Sequence, residues 1–166
     1  GVHWATEHLL AAGHRRIGFL GGQSGPVLDQ RLQGYKAALA KAGIAFDESL
    51  VIAASPTRAG GYETMKALLD LRPLVKAAVC YNDLAAFGAL SALGERGLSA
   101  GKDFALMGFD NVLDAAHSNP PLSTVDIRPS ELGEQAASIL LARIEDPSQT
   151  KQRYLALPKL VLRQSG

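Results

Sequence analysis

Short apolar runs alternate along the chain with longer stretches whose apolar residues recur every three or four positions. The runs are Arg16 to Leu20, Leu50 to Ala53, Ala77 to Tyr81 and Phe104 to Phe109. Apolar side chains on consecutive positions over so few residues predict strands buried on both faces. Between them, Val2 to Ala12 (apolar at Val2, Ala5, Leu9 and Ala12), Leu28 to Ala42, Gly60 to Leu71 and Asp83 to Arg96 predict helices. Gly13, Gly43 and Gly97 follow three of these helices, where a left-handed residue can end a helix, and Pro73 stands just past the other. Strands alternating with helices of this length imply right-handed crossovers. The expected fold is therefore three-layer α/β, a mostly parallel sheet with helices on both faces.

The rhythm breaks after Asn111. Asn119-Pro120-Pro121 interrupts the pattern, and Leu122 to Ile127 reads as extended. Pro129 to Ile144 predicts a helix with Pro129 in its first turn and Ala136, Ile139, Leu140 and Ile144 on one side. Asp146-Pro147-Ser148 is a loop, and Arg153 to Leu157 and Leu160 to Arg163 are extended pieces around Pro158.

Polar residues just past two of the apolar runs are the candidate chemistry. Tyr81 leads into Asn82-Asp83, and Phe109 into Asp110-Asn111. In a parallel sheet that edge is where ligands bind. Asn82 and Asp83 can each cap the following helix. The favoured division gives the helix start to Asp83 and the crevice to Asn82, whose amide both donates and accepts. Asp110 precedes no strong helix and can accept from two neighbouring hydroxyls, with turn formation as the alternative. Arg31, in Asp29-Gln30-Arg31, lies at the same edge near the start of a helix, where a positive charge opposes the dipole. Solvation, or pairing with Asp29, is the plain alternative. Tyr62, Tyr81, Phe87 and Phe109 can offer flat apolar faces or simply fill the core.

Composition narrows the classes. The chain has 166 residues, net charge +1, 47% apolar and 20% charged residues, enough for one domain with a core and without a basic block for nucleic acid. No apolar stretch is long enough to span a bilayer. The single Cys80 cannot form an internal disulfide, which suits a cytoplasmic setting. Gly18, Gly21, Gly22 and Gly25 miss the dinucleotide fingerprint. No Walker loop is present, and Gly22-Gln23-Ser24-Gly25 lacks the spacing of a nucleophile elbow. His3, His8, His14 and His117 show no metal spacing. No catalytic residue, metal or cofactor is expected. The chain starts on Gly1 and almost at once enters a helix, so it reads as a piece of something longer.

Five stretches, in order, carry a specific resemblance. Leu9 to Gly22 is similar to the "L-x-x-x-G-H-R-x-I-x-x-I-x-G" pattern of LacI/GalR-family transcriptional regulators. Arg31-Leu32-Gln33-Gly34-Tyr35 resembles "R-x-x-G-[YF]", Tyr81-Asn82-Asp83 "x-N-D", Gly108 to Asn111 "G-[FY]-D-[DN]", and Pro120 to Val125 "P-P-L-T-T-[VI]". The likeness covers essentially the whole chain. It implies the carboxyl-terminal part of an effector-sensing domain like periplasmic sugar-binding proteins. Residues 1–125 would be one lobe, 126–150 a crossover strand and helix of the other lobe, and 151–166 the return. The resemblance implies Arg31, Asn82 and Asp110 as contacts to a sugar-like effector, with Phe109 and Arg128 as further candidates. Operator DNA would be bound only through a headpiece outside these residues, and self-association through the orphaned helix is expected. Where the family often has "x-Q-P", this chain has Ile127-Arg128-Pro129, and Arg128 would bring positive charge toward the cleft. A solute-binding protein of a sugar transporter is the alternative.

Overall fold

A computed structural model describes residues 1–166. Its elements, in order, are α1 (Val2–Ala11), β1 (Gly18–Leu20), α2 (Pro26–Lys41), β2 (Val51–Ile52), α3 (Arg58–Asp70), β3 (Ala77–Cys80), α4 (Asp83–Glu95), β4 (Ala105–Met107), β5 (Thr124–Asp126), α5 (Pro129–Glu145) and β6 (Lys159–Val161). Strands β2-β1-β3-β4 form one wholly parallel sheet. The ribbon of β5 and β6 is antiparallel and is joined to the β4 edge by the amides of Gly108 and Asp110, which donate to Ser123 (2.8 Å) and Val125 (2.9 Å) carbonyls.

The consecutive apolar positions of the strands serve two cores because successive side chains point to opposite faces. Phe19, Ala77, Val79 and Met107 pack with Val2, Leu9, Tyr35 and Leu39 from α1 and α2. Leu20, Ala78, Cys80 and Leu106 pack with Met65, Leu68, Ala89 and Leu93 from α3 and α4. Helices α3 and α4 touch at backbone distance: a Cβ at Gly61 would strike the Ala85 carbonyl and one at Gly88 the Arg58 carbonyl, so only glycine allows this approach. The three-layer α/β expectation holds.

Boundaries differ where local chemistry was misjudged. Helix α2 starts at Pro26, two residues early, because Gly25 at φ 146° releases the chain into a proline at the first helical position. The second strand shrinks to two residues because Asp47 caps a short 3-10 turn at Glu48–Leu50. Residues 153–157 join no sheet, and the return pairs only at β6. Beyond β6 the chain is anchored by buried Ser165, whose Oγ accepts from the Ser123 amide and donates to the Leu106 carbonyl, both at 2.8 Å. Helix α5 matches its expected span, yet none of its residues is buried, and Leu140, Leu141 and Ile144 are at least 60% exposed.

Candidate functional site

The strand order creates the site. From β1 the chain crosses by α2 to β2 on one side, and from β3 it crosses by α4 to β4 on the other. The carboxyl ends of β1 and β3 are therefore left with a crevice, the switch point at which α/β sheets bind ligands. Arg31 reaches this edge from α2. Its guanidinium lies between two aromatic rings, 4.3 Å from the Tyr81 centroid and 3.9 Å from that of Phe109. Nη1 donates to the Tyr81 carbonyl, and Nη2 approaches Asp110 Oδ1 at 3.4 Å. A planar cation held over two rings and bonded at one end by a carboxylate has a restricted orientation. Arg31 lies beyond the first turn because α2 begins at Pro26, so opposition to the helix dipole does not apply to it. Its partner is Asp110, not Asp29.

Asp110 and Asn111 take left-handed backbone, at φ 114° and 57°. Such strain in residues other than glycine persists only where the surroundings hold it. The turn is held by the Asp110 amide on Val125 and by Arg163, whose Nη2 donates to Asn111 Oδ1 at 2.9 Å and whose Nη1 donates to the Leu122 carbonyl. Burial pushes the Asp110 carboxyl up to about 6; Arg31 opposes this and the charge of Asp83 adds to it. Burial also lowers the Arg31 pKa, with Asp110 the main opposing influence.

The structure corrects the expected division between Asn82 and Asp83: the cap is Asn82, and Asp83 is turned into the interior. Asn82 caps α4, its Oδ1 accepting from the Ala85 amide at 2.9 Å while Nδ2 donates to the Pro56 carbonyl at 3.1 Å. Asn82 occupies the extended position ahead of the helix, so its oxygen can fold over the first turn. Asp83 is already helical and its carboxylate points into the protein. It is fully buried, accepting from the Val112 amide (2.9 Å) and the Thr124 hydroxyl (2.5 Å). Burial raises its pKa and these donors oppose the rise. Asn82 keeps one N–H and one lone pair beyond its two bonds.

Arg128 does not join this group. It caps α5 in left-handed geometry and pairs with Glu131, which also accepts from the Tyr154 hydroxyl. Tyr62 bonds Glu95 and Phe87 packs in the core. The sequence reading missed the joint role of Tyr81 and Phe109, although a signal was present: an aromatic residue directly precedes the polar one at both strand ends. Beside Arg31 and Phe109 a cavity of about 330 Å³ also touches Val27 and Gln30. A larger one, about 490 Å³, lies at the opposite edge of the sheet, among His14, Lys76 and Phe104. No group of three or more His, Cys, Asp or Glu side chains is placed to hold a metal ion.

The sequence profile of the family described as "periplasmic binding protein-like domain" matches residues 6–166. The chain is 34% identical to the HTH-type transcriptional repressor PurR of Haemophilus influenzae (strain PittEE), over 99% of this chain and 50% of that protein. It is 36% identical to the ribose operon repressor of Haemophilus influenzae (strain ATCC 51907 / DSM 11121 / KW20 / Rd), with the same coverage of each. A LacI family transcriptional regulator from Enterococcus faecium, solved with bound ribose, superposes with a TM-score of 0.93 at 30% identity, over 99% of this chain and 61% of that one. The chain spans about half the length of the curated relatives it matches. With its parallel sheet, its switch-point crevice and these relatives, the chain belongs to the periplasmic binding protein-like domain family, in the form carried by LacI-family transcriptional regulators.

Proposed function

We propose that this chain is the effector-sensing part of a LacI-type transcriptional regulator, and that its effector is a neutral, sugar-like molecule held at Arg31, Asn82 and Asp110. The observation that carries this reading is the Arg31 guanidinium, fixed between Tyr81 and Phe109 with its edge on Asp110. A donor of fixed direction beside an acceptor carboxylate matches two adjacent hydroxyls, one accepting and one donating. The opposite charges of Arg31 and Asp110 favour a neutral ligand over an anion, and the pairing of Arg128 with Glu131 argues against a phosphate there. Relatives named as a ribose operon repressor and as ribose-bound point to D-ribose as the first probe.

In this reading residues 1–125 form one lobe, 126–150 cross to a second lobe, and 151–166 return. The exposed apolar face of α5 supports it, since Leu140, Leu141 and Ile144 have no core of their own. The second lobe would cover that face and close the crevice; a second copy of the chain would cover it otherwise. The whole regulator would act in the cytoplasm as a dimer, bind operator DNA through a separate headpiece, and catalyse no reaction. Effector binding shifts the arrangement of lobes by no more than its difference in affinity for the two arrangements. No helix is long and apolar enough to cross a membrane.

A thermal-shift screen against D-ribose, other neutral sugars, sugar phosphates and purine bases tests the reading. The expected result is stabilisation by a neutral sugar that is lost in Arg31→Ala and Asp110→Ala. Stabilisation only by anions, or unchanged in both variants, contradicts it.

A further inference from the structure

The buried carboxylate of Asp83 has no cation beside it. It lies at the first position of α4, where an acidic side chain ordinarily turns to the free amides of its own helix. Here it turns the other way, toward the Val112 amide and the Thr124 hydroxyl, while its own amide donates to the Phe109 carbonyl at 2.8 Å. Three segments thus meet on one residue: the start of α4, the turn carrying Asp110, and β5, from which the chain runs into α5. Gly108 lies against the same carboxylate, so closely that a Cβ there would collide with it. A buried carboxylate held only by neutral donors is costly, and an amide of the same shape would keep both bonds. Packing therefore accounts for the shape of this side chain but not for its charge.

We propose that Asp83 is the positioning residue of the effector site: its carboxylate ties the strained Asp110–Asn111 turn to α4 and β5, and its charge bears on Asp110. The inference rests on the reading of Arg31 and Asp110 as the ligand-contacting pair. Two charged groups act on Asp110: Arg31, bonded to it at 3.4 Å, and Asp83, whose negative charge opposes its ionisation. Asp83 thus ties the turn to Thr124 through side-chain bonds, beside the direct bond of the Asp110 amide to the Val125 carbonyl, and links the crevice to the strand leading out of the sheet.

The link is testable without a ligand. Asp83→Asn removes the charge and keeps both bonds, because the Thr124 hydroxyl can turn to accept from the new amide. Thr124→Val removes one bond and keeps the charge. In carboxyl-carbon NMR titrations, the Asp110 midpoint is expected to fall by at least about half a pH unit in Asp83→Asn, since a like charge has gone. In Thr124→Val, the Asp110 and Val112 amides are expected to exchange about tenfold faster, with the Val79 amide in the core unchanged. An Asp110 midpoint that does not move in Asp83→Asn overturns the proposal. So does exchange in Thr124→Val that quickens no more at the turn than at Val79, and this second result stands even if Asp83→Asn does not fold. Because neither readout involves sugar, failure of sugar binding at Arg31 and Asp110 is distinguishable from failure of the positioning role.

Discussion

The two polar pairs at neighbouring strand ends, Asn82-Asp83 and Asp110-Asn111, have the same composition in opposite order and do opposite work. After β3 the amide caps a helix and the acid is sealed inside, bonded to Val112 and Thr124. After β4 only a short 3-10 turn follows, at Leu113–Ala116; the acid stays partly open beside Arg31, and the amide is tied down by Arg163. What separates the two carboxylates is backbone. A residue entering α4 is directed into the sheet, whereas a residue in a left-handed turn is held out over the edge. One carboxylate thus serves the architecture and the other is left available for a ligand.

The largest expected effect breaks this comparison on the structural side. Asp83→Ala leaves the Val112 amide and the Thr124 hydroxyl without a partner in the interior, a loss of about 3 kcal/mol of folding stability, read by urea denaturation. Asp110→Ala removes a carboxylate that burial disfavours, and should cost less than about 1 kcal/mol. Similar losses in the two variants would dissolve the distinction.

Next comes the functional side. Arg31→Lys keeps the charge but not the plane that stacks between Tyr81 and Phe109. It should weaken sugar binding by about tenfold or more, measured by calorimetry, and leave the melting temperature nearly unchanged.

The smallest effect concerns pH. The folded-state pKa of Asp110 is raised to about 6, so the folded protein holds this proton more tightly than the unfolded chain does. Ionisation therefore costs stability, absent below about pH 4 and fully present above about pH 6. Asp110→Asn should accordingly gain stability relative to the parent as pH rises through that window, and gain nothing below it. Thermal melts at pH 3.5 and 7.5 measure the difference.

How much of this was legible in the sequence follows from the same physics. The parallel sheet was legible because consecutive apolar positions and helical spacing are set by burial, which is encoded residue by residue. Gly13, Gly43 and Gly97 were legible as helix ends and do adopt positive φ. Arg31 and Asp110 could be picked out from their place at the sheet edge, but their pairing could not, since it joins α2 to the β4 turn across 79 positions. That Asn82 caps α4 while Asp83 is sealed inside was not legible either. Either residue can cap a helix, and only the buried donors Val112 and Thr124 decide which one does not. Arg128 looked like a free charge because its partner, Glu131 on the next turn, becomes its neighbour only once α5 forms.

The central claim is that Asp110, ionised and aligned with Arg31, is the acceptor for a neutral sugar. Calorimetric titration of D-ribose into the parent chain and Asp110→Asn, at pH 7.5 and pH 5, tests it most directly. The account predicts binding to the parent at pH 7.5 that weakens by about tenfold at pH 5, where a group titrating one unit higher is mostly protonated, and weak binding to the variant at both pH values. Equal affinity of parent and variant at both pH values would contradict it.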